Sequence, residues 1–319
     1  MSSRIWLYIT LAVAVGVLAW LTLALLKPPI VRYHLSQTAR QSVFAGKSAA
    51  KPPAAPPLTH VFIIVMENQP YANIVGNGQA PYLNSLIQKY ALATNYHAVL
   101  HPSLPNYLAL TSASGDGMTT DCNPPGAGCE VNVKNIADEI QQSGRTWKEY
   151  AQSMPSACYI LNSGEYATKH NPFIYYTDIV NNPSRCDSSV VPYSQLSIDL
   201  QKLSTTPNYA FITPNLCNDM HDCSIATGDQ WLAGNVPAIL NSPAFTRQNS
   251  VLFITWDEGY LSTNHVAAIL AGSAIKTGYQ SGSYFNHYSI LHTIEYYWHL
   301  APLTANDAQA PLMTGFFQP

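Results

Sequence analysis

The sequence predicts an α/β domain with a mostly parallel central sheet and helices on both faces, preceded by one N-terminal transmembrane helix. Three observations predict the domain. Short apolar runs rich in β-branched residues recur along the chain. Segments with helical patterning lie between them. Polar clusters stand directly behind several of the runs.

Strands buried on both faces read as continuous apolar stretches. Val61-Phe62-Ile63-Ile64-Val65 is one, and residues 209–213 and 251–255 repeat the pattern. Residues 265–271 predict a fourth. Helices are predicted at 81–90, at 133–142 before Gly144, and at 194–203, 229–240 and 287–299. Alternating strands and helices imply a layered sandwich. In such sheets ligands bind beyond the carboxyl ends of the strands.

Residues 5–26 form an uncharged apolar run. At about 1.5 Å per residue it spans roughly 30 Å of hydrocarbon. A cleavable signal has an apolar region of about 7–15 residues, so the expectation is an uncleaved anchor over residues 1–27. Residues 28–57 end in Lys51-Pro52-Pro53-Ala54-Ala55-Pro56-Pro57 and read as a linker. Residues 58–319 remain as the catalytic domain. All six cysteines lie beyond the anchor. An even count in an exported chain suggests disulfides, and sequential pairing closes short loops: Cys122–Cys129, Cys158–Cys186 and Cys217–Cys223. The expected location is a cell membrane, with the domain on its extracytoplasmic side, or outside the cell if the N-terminal segment is cleaved. Charged residues make up 10% of the 319, with a formal net charge of -3. No basic excess points to nucleic acid.

Glu67-Asn68 follows the first run, residues 215–222 the second, and Asp257-Glu258 the third. Glu67, Asn68, Asp257 and Glu258 are hard oxygen donors suited to a divalent cation. Crowded carboxylates without a cation would raise each other's pKa. A single acidic strand end reads equally well as a helix cap or a solvated group. Ser103 stands between Pro102 and Pro105, ahead of a helix predicted from Asn106. Free backbone N–H groups and the positive end of the helix dipole there suit an anion; the plainer reading is an ordinary N-cap. His221 and His265 are candidates to touch phosphate, bind a second metal or protonate a leaving group. Lys169 and His170 could neutralise phosphate charge or form a solvated surface pair. His287 reads as a packing or capping residue, and His101 is expected to point away from the serine.

Glu67-Asn68-Gln69-Pro70-Tyr71 resembles the opening E-N-x-x-[F/Y] motif of the phosphoesterase family of bacterial phospholipases C and acid phosphatases, within the alkaline phosphatase superfamily. Asn218-Asp219-Met220-His221-Asp222 and Trp256-Asp257-Glu258-Gly259, followed by Asn264-His265-Val266, resemble its later motifs in the same order. Ser103-Leu104-Pro105-Asn106-Tyr107 is similar to the nucleophile segment of the nucleotide pyrophosphatase branch. The chain looks like the exported acid phosphatases of the phosphatidylinositol 3-phosphatase type. The resemblance covers about residues 60–317 and implies an alkaline phosphatase-like fold. It implies a metal held by Glu67, Asn68, Asp257 and Glu258, with Ser103 as a further ligand and the nucleophile. His221 and His265 would line a phosphate pocket with Asp219 beside them, and Asn106 is a phosphate-binding candidate in the shared Pro-Asn run. Two departures matter. Asp257-Glu258-Gly259 replaces the D-H-G of two-zinc members, which favours one hard cation (Mg, Mn, Ca or Zn). Residues 215–222 fit the P-D-x-x-G-H pattern only with a shift.

The expectation is a metal-dependent phosphatase acting on phosphate monoesters, either a phosphorylated small molecule or a phospholipid head group, through a phosphoseryl intermediate. The rivals are a phospholipase C-type diesterase, a metal-free Ser-His-Asp esterase, and a non-catalytic cell-surface binding lobe. The absence of G-x-S-x-G weighs against the esterase.

Overall fold

The computed structural model describes residues 57–260 and 263–319. The predicted anchor, and the predicted linker up to residue 56, lie outside these residues. Among the described residues no helix is long and apolar enough to cross a membrane.

Nine strands form one sheet: β1 (His60–Met66), β2 (Ala91–His97), β3 (Trp147–Ala151), β4 (Val190–Pro192), β5 (Tyr209–Thr213), β6 (Ser250–Trp256), β7 (His265–Ala271), β8 (Tyr279–Ser281) and β9 (Phe285–Asn286). The spatial order is β4-β3-β5-β1-β6-β7-β2-β8, with β9 also pairing β2. The neighbours from β4 to β6 are parallel, β7 is antiparallel to both β6 and β2, and β8 and β9 are parallel to β2. One strand, β7, therefore runs against the rest.

The three apolar runs occupy the centre. Every residue of β1, β5 and β6 is buried. A polar side chain on either face would lose its water, so these stretches are mostly apolar, and the polar exceptions near their ends, His60, Thr213, Ser250 and Thr255, each find a hydrogen-bond partner. Their register sets Met66 beside Trp256 and Ile64 beside both Ile212 and Ile254. The residues that follow each strand thus emerge on one lip.

Helices pack against the sheet in two groups. Ser103–Ser112 lies against His287–Trp298, and Pro81–Lys89 lies against Ile225–Leu240. Their starts follow local chemistry. Pro81 takes the first position of its helix, where a missing N–H costs nothing. Asn286 and Ser289 form a capping box, as do Asn135 and Asp138. The helix predicted from Asn106 begins at Ser103 itself. Three disulfides, Cys122–Cys129, Cys158–Cys186 and Cys217–Cys223, use all the cysteines in the sequential pairing.

Candidate active site

The carboxyl lip gathers most of the polar motifs. The Glu67 amide donates to the Asp219 carbonyl at 2.8 Å, and the Asp257 amide donates to the Met66 carbonyl at 2.9 Å. The Asn68 amide donates to Asp257 Oδ1 at 3.0 Å. Backbone bonds therefore lock the ends of β1, β5 and β6 together. Asn68, Met220 and Asn264 have positive φ, at 54°, 80° and 48°. Strained backbone of this kind concentrates at functional sites.

Glu67 stands at the centre and is fully buried. Its Oε2 accepts from Ser103 Oγ at 3.2 Å and from Asn68 Nδ2 at 3.1 Å. His170 lies between two carboxylates, with Nε2 2.9 Å from Glu67 Oε1 and Nδ1 3.2 Å from Asp219 Oδ2. Neither contact is aligned as a hydrogen bond, so both oxygens and Nε2 remain unpartnered in that sense. The Tyr107 ring stacks on His170 with centroids 5.3 Å apart.

Charge explains the pairing. Burial alone would raise the Glu67 pKa, but His170 and then Lys169 outweigh it and hold the carboxyl down at about 2. Burial alone would lower the His170 pKa, but Glu67 and Asp219 outweigh it and push it up to about 9. The two carboxylates thus favour the charged form of the His170 ring. Asp257 is pushed well above the ordinary carboxylate range, by burial first and by Glu67 and Glu258 next. Asp219 is raised too, chiefly by burial, against the pull of His170.

The predicted residues separate into groups. Glu67, Asn68, Ser103, Asp257, Asp219 and His170 form one connected cluster. His170, read from the sequence as a phosphate-neutralising or surface residue, is buried between the Glu67 and Asp219 carboxylates. Lys169 lies beside it, largely buried, 3.3 Å from Asp121 Oδ2 and 3.5 Å from His221 Nε2. The His221 amide donates to Asp219 Oδ1 at 2.7 Å, and its Nδ1 lies 2.6 Å from Asp222 Oδ1. Glu258 pairs with His101, whose side chain makes no hydrogen bond with Ser103 among the described residues. His265 sits at the same lip because β7 is reversed. There it stacks between Tyr71 and His97, and its Nε2 lies 3.0 Å from the Thr94 carbonyl. No contact joins it to the Glu67 cluster.

Asn106 needs correcting as a phosphate binder. Its Oδ1 accepts from the Val99 and Leu100 amides, and its Nδ2 donates to the Leu100 and Pro102 carbonyls. A buried amide with its whole bonding capacity spent on one loop holds that loop in shape. His287 is buried between the Asp257 carbonyl and Tyr96 Oη, at 2.7 and 2.9 Å. Sequence reasoning missed Asp121, which links the Leu104 amide to Lys169; nothing in its Thr-Asp-Cys context marks it.

Among the described residues, no three His, Cys, Asp or Glu side chains are grouped to hold a metal ion. The donor set that fits a hard cation is a mixed one: the Glu67 and Asp257 carboxylates, the Ser103 hydroxyl and the Asn68 amide oxygen. Glu67 Oε1 meets only the His170 ring, and Asp257 Oδ2 is buried without a hydrogen-bond partner; an oxygen left in that state calls for a cation or a proton.

Residues 77–301 match the phosphoesterase family. The chain is 34% identical over 263 residues to a phosphatidylinositol-3-phosphatase from Mycobacterium tuberculosis, covering 82% of this chain and 83% of that protein. It is 33% identical over 265 residues to a probable acid phosphatase from Kluyveromyces lactis, covering 79% of this chain and 61% of the relative. The fold is similar to that of a protein in the alkaline phosphatase superfamily from Vibrio parahaemolyticus, with a TM-score of 0.58 at 12% identity, covering 81% of this chain and 72% of the other. At that identity the likeness is one of fold alone. Family match, relatives and architecture agree: the chain belongs to the phosphoesterase family.

Proposed function

We propose that this phosphoric ester hydrolase is a metal-dependent phosphatase of the acid phosphatase type, acting on monoesters with Ser103 as nucleophile. The observation that carries the reading is the Ser103 hydroxyl, in the first turn of a helix and 3.2 Å from Glu67 Oε2 inside the buried cluster.

Glu67, Asp257, Asn68 and Ser103 would hold the cation. A divalent ion there supplies a lowered hydroxyl pKa and charge to offset that of the phosphoryl oxygens. The chain's own side chains do the rest. Glu67 orients the Ser103 hydroxyl. The Ser103 hydroxyl gives up its proton to solvent, and its oxygen attacks phosphorus in line, forming an O–P bond as the ester oxygen departs with its electron pair. Lys169 and His170 are the nearby positive charges that balance the phosphoryl group. His221, fixed at Nδ1 by Asp222, supplies a proton to the departing oxygen. Water then attacks the phosphoseryl group, releasing inorganic phosphate and restoring the hydroxyl.

A phospholipid head group belongs to this substrate class. The relative named for phosphatidylinositol-3-phosphate chemistry supports it. An anchor at residues 5–26 would hold the domain against a membrane presenting such head groups, on the extracytoplasmic side.

The test is Ser103→Ala. Hydrolysis of p-nitrophenyl phosphate should fall on the order of 10⁴-fold or more, with the circular dichroism spectrum unchanged. Turnover at the wild-type rate would reject the assignment.

A further inference from the structure

We propose that Asp121 is an internal competitor for phosphate. In the free protein its carboxylate holds the anion seat between the Leu104 amide and the Lys169 ammonium, and substrate must displace it. The inference rests on the reading of Ser103 as the nucleophile.

The seat is defined by the helix start. The helix Ser103–Ser112 has Pro102 as N-cap, whose own side chain makes no capping bond. The first four amide positions of a helix lack intrahelical partners, and two of these four are prolines, Pro102 and Pro105. Only Ser103 and Leu104 therefore offer an N–H at the positive end of the dipole. Asp121 Oδ1 takes the Leu104 amide at 3.2 Å, and Oδ2 takes Lys169 Nζ at 3.3 Å. A phosphoryl group on the Ser103 hydroxyl would draw on these two donors. One belongs to the next residue in the chain. The other adjoins His170, which pairs with Glu67.

The carboxylate is held loosely and its backbone firmly. Both contacts lie at the long end of the hydrogen-bond range. The side chain is 30% exposed, so water can receive it on displacement. The backbone is pinned by Tyr175 Oη, which donates to the Cys122 carbonyl at 3.0 Å, and by the Cys122–Cys129 disulfide. A side-chain rotation therefore suffices to vacate the seat. The consequence is a raised KM and easier departure of product phosphate.

The opposing possibility is that Asp121 braces Lys169 for the ligand. Asp121→Asn in the full chain separates the two. Calorimetric titration with inorganic phosphate should give binding about tenfold or more tighter than wild type, because a like charge is removed from beside the anion. KM for p-nitrophenyl phosphate should fall in parallel. Weaker or unchanged phosphate binding overturns the proposal. If the variant does not fold, the wild type with bound orthovanadate decides: Asp121 must have left the Leu104 amide, and a retained contact overturns the proposal. An active Ser103→Ala protein would remove the nucleophile and leave the phosphate titration readable, so the two failures are distinguishable.

Discussion

Glu295 should make the domain less stable as pH rises. It lies in the helix His287–Trp298, only 1% exposed, with neither carboxylate oxygen hydrogen-bonded. The Asp307 carboxylate beside it already accepts the Leu303 and Thr304 amides, at 2.7 and 2.8 Å. Burial first, then Asp307 and Glu139, push the Glu295 pKa from 4.5 to about 9. Between those limits the folded state binds more protons than the unfolded one, so stability falls as pH rises through that window. From pH 5 to pH 7 the loss is about 3 kcal/mol, at about 1.4 kcal/mol per unit. In a domain of this size that corresponds to about 5–10 °C in Tm. Glu295→Gln keeps the shape, cannot ionise, and turns an N–H toward Asp307. Scanning calorimetry of both proteins at pH 5 and pH 7 isolates this residue, because contributions from His170 and other groups cancel in the difference. The variant should gain several degrees at pH 7 and little at pH 5. A lower Tm for the variant at pH 7, or an unchanged pH slope, would show that Glu295 is ionised and refute the reasoning.

Two further outcomes are expected. Gly228→Ala would put a methyl 2.4 Å from Met220 Cγ and 2.9 Å from the Asn218 carbonyl, inside the loop that carries Asp219 and His221 between Cys217 and Cys223. Overpacking there should cost about 1–3 kcal/mol and lower kcat, read by urea denaturation and steady-state kinetics; a wild-type kcat would mean the loop does not position the site. Dialysis against a chelator should abolish phosphatase activity, and restoring Mg, Mn, Ca or Zn one at a time should recover it. Full activity after chelation would exclude a metal requirement.

Legibility followed burial chemistry. β1, β5 and β6 could be read because both their faces are covered and the runs are almost wholly apolar. β7 could be read as a strand but not in direction, since direction depends on the connection and not on composition. β2 escaped because Thr94, Asn95 and His97 interrupt it, and these residues are only half-buried. β3 escaped because it carries Lys148 and Glu149; Glu149 is fully buried, its Oε1 accepts from Thr213 at 2.8 Å, and burial raises its pKa far above the ordinary range. In the site, Glu67, Asn68 and Asp257 were legible because they directly follow legible strands. His170 and Asp121 come from long irregular segments, where only the folded chain shows what they meet. Asn106 was misjudged because an amide that braces its own loop has the same sequence signature as one that binds a ligand.

The reversal of β7 has an evolutionary consequence. Because β6 ends and β7 begins on the same edge, the segment between Trp256 and His265 starts and finishes at the lip that carries the site. Residues could be inserted or deleted there without shifting any strand's register. Past Asp257 and Glu258, that stretch is therefore a place where the rim of the site can be remodelled while the strands beneath it stay fixed.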